Sequence, residues 1–313
     1  LTPFILSGRQ AKIRFMKHPK KRLTQCPFCK SSESIQKRGF FIRESDNKKI
    51  QKYYCKTCSK HFSEQTLSYD YRLRKRYINQ RTFRLLCKGM SQRATALLLG
   101  VKQKAIALRI KRFARVARIF LAKTREEEDF KEIFFDEMET FEHSKCKPIT
   151  IPLAVNPTNR KILSVCAGKI PAKGHLVEIA MKKYGHRECQ RQEKLTEMLS
   201  MIQKSGKKEI LFTTDQSPFY PKLIQELFPK STHNTYKGRR GCVVGQGELK
   251  AGGHDPLFAL NHTCAMIRDN LKRMARRTWC TTKKIPMLEN MLYVYAMFHN
   301  LVIDGQTLEI FNC

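Results

Sequence analysis

Acidic residues are scarce in this 313-residue chain: 27 Asp and Glu stand against 61 Lys and Arg, a formal charge of +34. That excess excludes an ordinary solvated surface of mixed charge. It implies a nucleic-acid partner, held by phosphate contacts and released by salt. A ribosomal-type protein or a disordered basic tail would share the charge, but here the cations are spread through periodic segments. No apolar run reaches the ~20 residues that a membrane helix needs, so no membrane partner is expected. No signal peptide opens the chain at Leu1, and the length does not suit a small disulfide-framed secreted domain. The 12 cysteines are therefore expected as metal-bound and free thiols in a reducing cytoplasm. Hydrophobic residues make up 41% of the chain, enough for a core in two or three units.

Residues 1–20 are basic and aperiodic, an expected arm. Residues 21–70 carry two cysteine knuckles, and 71–124 are helical in pattern and very basic. An acidic stretch, Glu126 to Asp129, reads as a linker or helix end. From 130 to 313 the order changes to strands at 133–141, 149–155 and 161–167, then helices at 175–184 and 187–205. A strand at 209–213, a helix at 218–228 and a strand at 231–236 follow. After a glycine-rich loop at 238–253 come helices at 256–277 and 286–300. This α/β order is compatible with one central sheet covered by helices.

Cys26, Cys29, Cys55 and Cys58 form C-x2-C-x25-C-x2-C. Each knuckle turns two thiolates toward one point, and two knuckles close a tetrahedron around a structural zinc ion. The long spacer predicts an added hairpin with its turn near Asp46 and Asn47. Four free buried cysteines are the plain alternative, and His61 is a conceivable replacement for Cys58. The segment is too short to fold on core burial alone, so the metal should supply much of its stability.

Between residues 81 and 113, Gly89 ends one helix and Ser91 can cap the next. Ala94, Leu97 and Leu98 are expected on the inner face, and Gly100 permits a tight turn. Lys102, Gln103 and Lys104 then begin a helix whose apolar side is Ile106, Ile110 and Phe113. The pattern is that of a helix-turn-helix presenting these N-terminal residues to the major groove of double-stranded DNA. Gln103 suits an adenine edge, and the two lysines suit phosphate or guanine. A helical hairpin with a solvated basic face would look similar.

Alternation in the strand 133–141 separates Asp136, with Phe134, Met138 and Thr140, from Glu137 and Glu139. Asp215 follows the apolar run Ile210-Leu211-Phe212 at a strand end. Two carboxylates so placed can hold Mg²⁺ for phosphoryl transfer; singly, each has a plain role as an edge residue or a helix cap. In the helix from Pro256, Leu257, Leu260, Cys264, Ile267, Leu271 and Met274 make one apolar stripe. Asn261, Arg268 and Lys272 run along its edge, and Arg273, Arg276 and Arg277 add charge beyond. A metal-facing amide followed by phosphate-gripping cations would look like this, as would an ordinary solvated edge. Asp255 reads as an N-cap with Pro256 at the first helical position.

Taken together, CPFC…CKTC followed by HFSEQT, GMSQRATALLLGV, the strand of Asp136, TTDQS and IRDNLKRMARRTWC resemble the DDE-type insertion-sequence transposases of bacteria that carry an N-terminal zinc ribbon. The resemblance spans about 23–300. It implies a ribonuclease-H-like catalytic core preceded by a zinc ribbon and a helix-turn-helix, using Mg²⁺ or Mn²⁺ to cut and rejoin DNA at terminal inverted repeats. It also implies a homodimer on DNA, in the bacterial cytoplasm at the nucleoid. Asp136, Asp215 and Asn261 would be the metal-binding triad, with Arg268 on the phosphate; Lys272, Arg276 and Arg277 would grip DNA. Asn261 departs from the usual Glu, with Asp255 and Glu248 as fallback ligands. The alternatives are a catalytically inactive DNA-binding regulator derived from such an enzyme, or a metal nuclease that hydrolyses without joining.

Overall fold

The computed structural model describes residues 25–44, 46–237, 255–275 and 278–311. The expected arm at 1–20, the loop 238–253 with Glu248, and Arg276 and Arg277 lie outside them. The chain divides into two compact units. One takes residues up to Tyr77 together with those from Glu309; the other is Ile78–Leu308.

The first unit is built on a three-stranded antiparallel sheet, β1 (Ile35–Arg43), β2 (Lys48–Cys55) and β3 (Lys60–Ser63). The expected hairpin joins β1 to β2. Its turn contains Asn47 at φ +52°, a left-handed conformation that Asn tolerates well. Asp46 accepts from Arg43 across the turn. Gly39, at φ +70°, marks an irregularity in the pairing, where Gln51 Nε2 donates to the Gly39 carbonyl at 2.7 Å. The core is small: Tyr53 stacks on Phe62 at 5.4 Å, beside buried Cys26 and Cys55.

The second unit begins with α1 (Asn79–Cys87), α2 (Gln92–Leu98) and α3 (Gln103–Glu127). Ser91 caps α2, its hydroxyl accepting from the Ala94 N–H at 3.1 Å, and Gly100 takes φ +58° in the turn to α3. Ile106, Ile110 and Phe113 are fully buried, as their spacing requires. The inner face of α2 differs from expectation. Thr95 and Ala96 are buried, while Leu97 and Leu98 are 82% and 63% exposed. Gln92, Thr95, Ala96 and Leu99 share one side of the helix at its 3.6-residue period, and that side meets α3. The expected domain break near 124–130 is likewise not a break in packing. α3 spans about 38 Å at 1.5 Å per residue and packs along the C-terminal helix α8 (Ile285–Ile303), inside the same unit as the sheet.

The sheet combines β4 (Glu132–Phe141), β5 (Pro148–Val155), β6 (Ile162–Val165), β8 (Leu211–Asp215) and β9 (Thr232–Tyr236) in the order β6-β5-β4-β8-β9, with the short β7 (Gly168–Lys169) beside β5. β4, β5 and β6 are antiparallel; β8 runs parallel to β4, and β9 parallel to β8. α4 (Leu176–Tyr184), α5 (Arg191–Gln203) and α6 (Tyr220–Leu227) follow β7 and β8. Ile133, Phe135 and Phe212 pack against Leu195, Met198 and Leu199 of α5 and Tyr220, Leu223 and Ile224 of α6. α7 (Phe258–Asn270) lies on β4 and β5, and α8 (Ile285–Ile303) reaches β6. On α8, buried Asn300 accepts from the Ile162 N–H at 2.8 Å and donates to its carbonyl at 2.9 Å, satisfying the backbone of β6. Among the described residues no helix is long and apolar enough to cross a membrane.

Candidate active site and metal centre

The four knuckle cysteines converge. Cys26 and Cys58 bring their sulfurs to 3.6 Å, as do Cys29 and Cys55, and all four Sγ atoms lie within 4.8 Å of one another. Zn–S bonds of ~2.3 Å arranged tetrahedrally place sulfurs about 3.8 Å apart, so the cluster can hold a zinc ion with all four positions filled by protein. His61 lies outside the cluster, its ring against Tyr54 at 4.8 Å.

Parallel pairing brings the two aspartates level. Phe134 pairs with Thr213, and two residues further along each strand stand Asp136 and Asp215, on strands about 4.8 Å apart. The shared register puts them on one face of the sheet. One oxygen of each carboxylate is committed to the protein. Asp136 Oδ1 accepts from the Glu137 N–H at 2.6 Å and from the Tyr220 hydroxyl at 3.3 Å. Asp215 Oδ1 accepts from the Ser217 N–H at 3.1 Å, so Asp215 closes a local turn; it does not cap α6, whose N-cap position is Phe219, with no side-chain cap. The remaining oxygens have no protein donor among the described residues, and neither carboxylate meets a cation there. Glu137, on the opposite face, contrasts with them: Arg191 stands 3.3 Å from it and the Thr150 hydroxyl donates at 2.5 Å.

Burial pushes the Asp136 carboxyl up to about 6, and the charge of Asp215 pushes the same way; the two hydrogen bonds oppose them. A desolvated carboxylate beside a second one, each with an oxygen to spare, suits a hard divalent cation. Tyr220 was not legible as part of this site: its ring is an ordinary core residue against Phe135 at 4.8 Å, and its partner is 84 residues away. Tyr220→Phe keeps the ring and deletes only the donor. The Asp136 carboxyl should then titrate still higher, checked by NMR titration of the labelled side chain; an unchanged midpoint would remove Tyr220 from the site.

α7 covers this face. The Leu257–Met274 stripe is buried as expected. Burial pushes the Cys264 thiol up to about 12; the charge of Asp136 adds to the shift and that of Arg268 opposes it. Asn261 lies on the same helical edge as Arg268, seven residues away, and is exposed. Its Nδ2 donates to Asp255 Oδ2 at 2.9 Å, leaving its carbonyl oxygen uncommitted. Asp255 caps the preceding turn through the Leu257 N–H instead of standing as the N-cap of α7. The helix also ends early. α7 stops at Asn270, Leu271 is extended, and Lys272 stands in a separate 3-10 turn, so it does not continue the Asn261–Arg268 edge. The Asn270 carbonyl instead accepts from the Gly89 N–H at 2.9 Å, tying the end of α7 to the turn before α2.

Lys102, Gln103 and Lys104 are exposed at the start of α3, and Lys272 is exposed beyond α7. No protein-family model matches this chain, and no curated protein matches it.

Proposed function

We propose that the chain is a DNA transposase of the DDE type, with the ribbon and helix-turn-helix gripping element ends as a homodimer and the sheet carrying out strand cleavage and strand transfer. The observation that carries this is the pair Asp136 and Asp215, level on adjacent parallel strands and in no ion pair with a described cation, in a chain of charge +34. The strand order, three antiparallel strands with two parallel ones beyond the first, is the one a ribonuclease-H-like core would have. Asp136 and Asp215 would hold Mg²⁺ or Mn²⁺, with Asn261 Oδ1 as the third donor. The cation, when bound, supplies the Lewis acidity and positive charge that phosphoryl transfer at a diester needs. Tyr220 and the Glu137 N–H fix one oxygen of Asp136 so that the other faces the site. Arg268 would hold the phosphate. Lys102, Lys104 and Lys272 would meet DNA phosphates, and Gln103 a base edge.

The test is cleavage and strand transfer by the zinc-loaded protein on DNA carrying the reading frame's own flanks, with and without Mg²⁺. Asp215→Ala should lower both on the order of a thousandfold or more. A second reading, an inactive DNA-binding regulator, is favoured by the neutral Asn261 held against Asp255. Specific binding with no divalent-dependent cleavage by the wild-type protein would establish it. Hydrolysis without joining would point to a nuclease.

A further inference from the structure

Trp279 is the chain's one tryptophan and it is 102% exposed. An indole is the largest apolar side chain, and leaving it wholly in water forgoes the burial that normally accompanies it. The segment bearing it is held in place. The Cys280 N–H donates to Thr278 Oγ1 at 2.9 Å. Thr282 is fully buried and bridges in parallel to Glu142, and its carbonyl accepts from the His143 N–H at 3.0 Å. Lys283 Nζ reaches Thr281 Oγ1 at 3.1 Å.

Three features lie beside the segment that bears this ring. Glu142 continues the strand that bears Asp136, six residues on, or about 20 Å at ~3.3 Å per residue. Cys280, next to Trp279, lines a cleft with Lys272 and Arg273 beyond α7 and with Ser91 and Gln92 at the start of α2. Lys272 on that cleft, and Lys283 and Lys284 on the segment itself, are exposed. The segment bearing the indole thus carries exposed lysines and runs where the start of α2, the end of α7 and the end of β4 meet.

We infer that Trp279 is a stacking platform for an unpaired or unstacked nucleobase of the bound DNA, with the neighbouring lysines on its phosphates. Base–aromatic stacking is tolerant of sequence because every base has a flat face, and cations beside the ring select a ligand that carries phosphate. The ligand class rests on the proposed DNA function; the stacking rests on the exposure and the anchored loop.

The single tryptophan makes the test direct. Zinc-loaded full-length protein is titrated with a fluorescein-labelled 20-base-pair duplex, and with the same duplex carrying a three-nucleotide single-stranded overhang. Binding is followed by fluorescein anisotropy and Trp279 emission together. Emission should be quenched on the overhang DNA. Trp279→Ala should weaken overhang binding roughly tenfold while changing fully paired duplex affinity less than about twofold, and Trp279→Phe should keep most of it. Saturating anisotropy with unchanged emission, or equal losses on both DNAs, overturns the stacking role and leaves the DNA function standing. Failure of both DNAs to bind overturns the stacking role and the DNA function together. Quenching by anionic phospholipid vesicles but not by DNA would assign the ring to a lipid surface instead.

Discussion

Asp136→Asn is expected to stabilise the folded protein at pH 7.5 by up to about 3 kcal/mol while abolishing its response to divalent cations. The folded carboxyl titrates near 6, against 3.8 for the free side chain, chiefly because burial disfavours its charge. Below 3.8 the group is protonated whether the chain is folded or not, and it costs nothing. As pH rises through the window from 3.8 to about 6, the unfolded chain ionises first, and stability contributed by this group is lost. Above the window the whole difference, about 3 kcal/mol, stands against folding. Asn is neutral and of the same shape, and its carbonyl can still accept from Glu137 and Tyr220. The gain should fall to about half at pH 5, where the wild-type carboxyl is largely protonated. Urea unfolding of zinc-loaded protein at the two pH values measures it. Adding Mg²⁺ or Mn²⁺ should raise the Tm of the wild type and not of the variant. A variant less stable than wild type at pH 7.5 would mean that Asp136 is satisfied within the fold and is not held ready for a cation. A residue that destabilises its own fold and improves it when removed is the pattern of a functional site.

Withdrawing zinc should unfold the ribbon. Apart from the cysteines, the buried apolar side chains between residues 25 and 63 are Ile50, Tyr53 and Phe62, with Ile35 partly buried. So small a core does not offset the backbone entropy of ordering this segment, and a structural zinc ion contributes folding free energy outright. Chelation, or Cys55→Ser, should therefore erase amide protection across β1, β2 and β3. The expected readout is hydrogen exchange of Tyr53, Tyr54 and Phe62 collapsing to unprotected rates, with recovery on adding zinc to the wild type only. Protection surviving in the metal-free protein would show that the hairpin and its small core are self-sufficient.

Local chemistry made much of this legible. A C-x2-C knuckle forces two sulfurs together over four residues, so the cluster could be read from spacing alone. Ser91 and Gly100 punctuate the helix-turn-helix through side-chain and backbone preferences that act within a single turn. Alternation along β4 separates Asp136 from Glu137 because successive strand residues face opposite ways. Where a choice depended on a neighbouring element, these local signals failed. Leu97 and Leu98 are more apolar than Thr95 and Ala96, yet the approach of α3 decided which side of α2 is covered. The cationic edge drawn through Lys272 assumed one helix over 256–277, but α7 ends at Asn270, whose carbonyl accepts from the Gly89 N–H.

The sequence by itself singled out the residues proposed to carry chemistry: the four cysteines, two isolated aspartates, and cations at the starts and ends of helices. Only the tertiary structure decided that Asp136 and Asp215 share a level on neighbouring strands, that Tyr220 reaches across to one of them, and that Trp279 stays in water. Register between strands 79 residues apart (215 − 136) is set by the packing of Phe135 and Phe212 under α5 and α6. No periodicity within either strand encodes it.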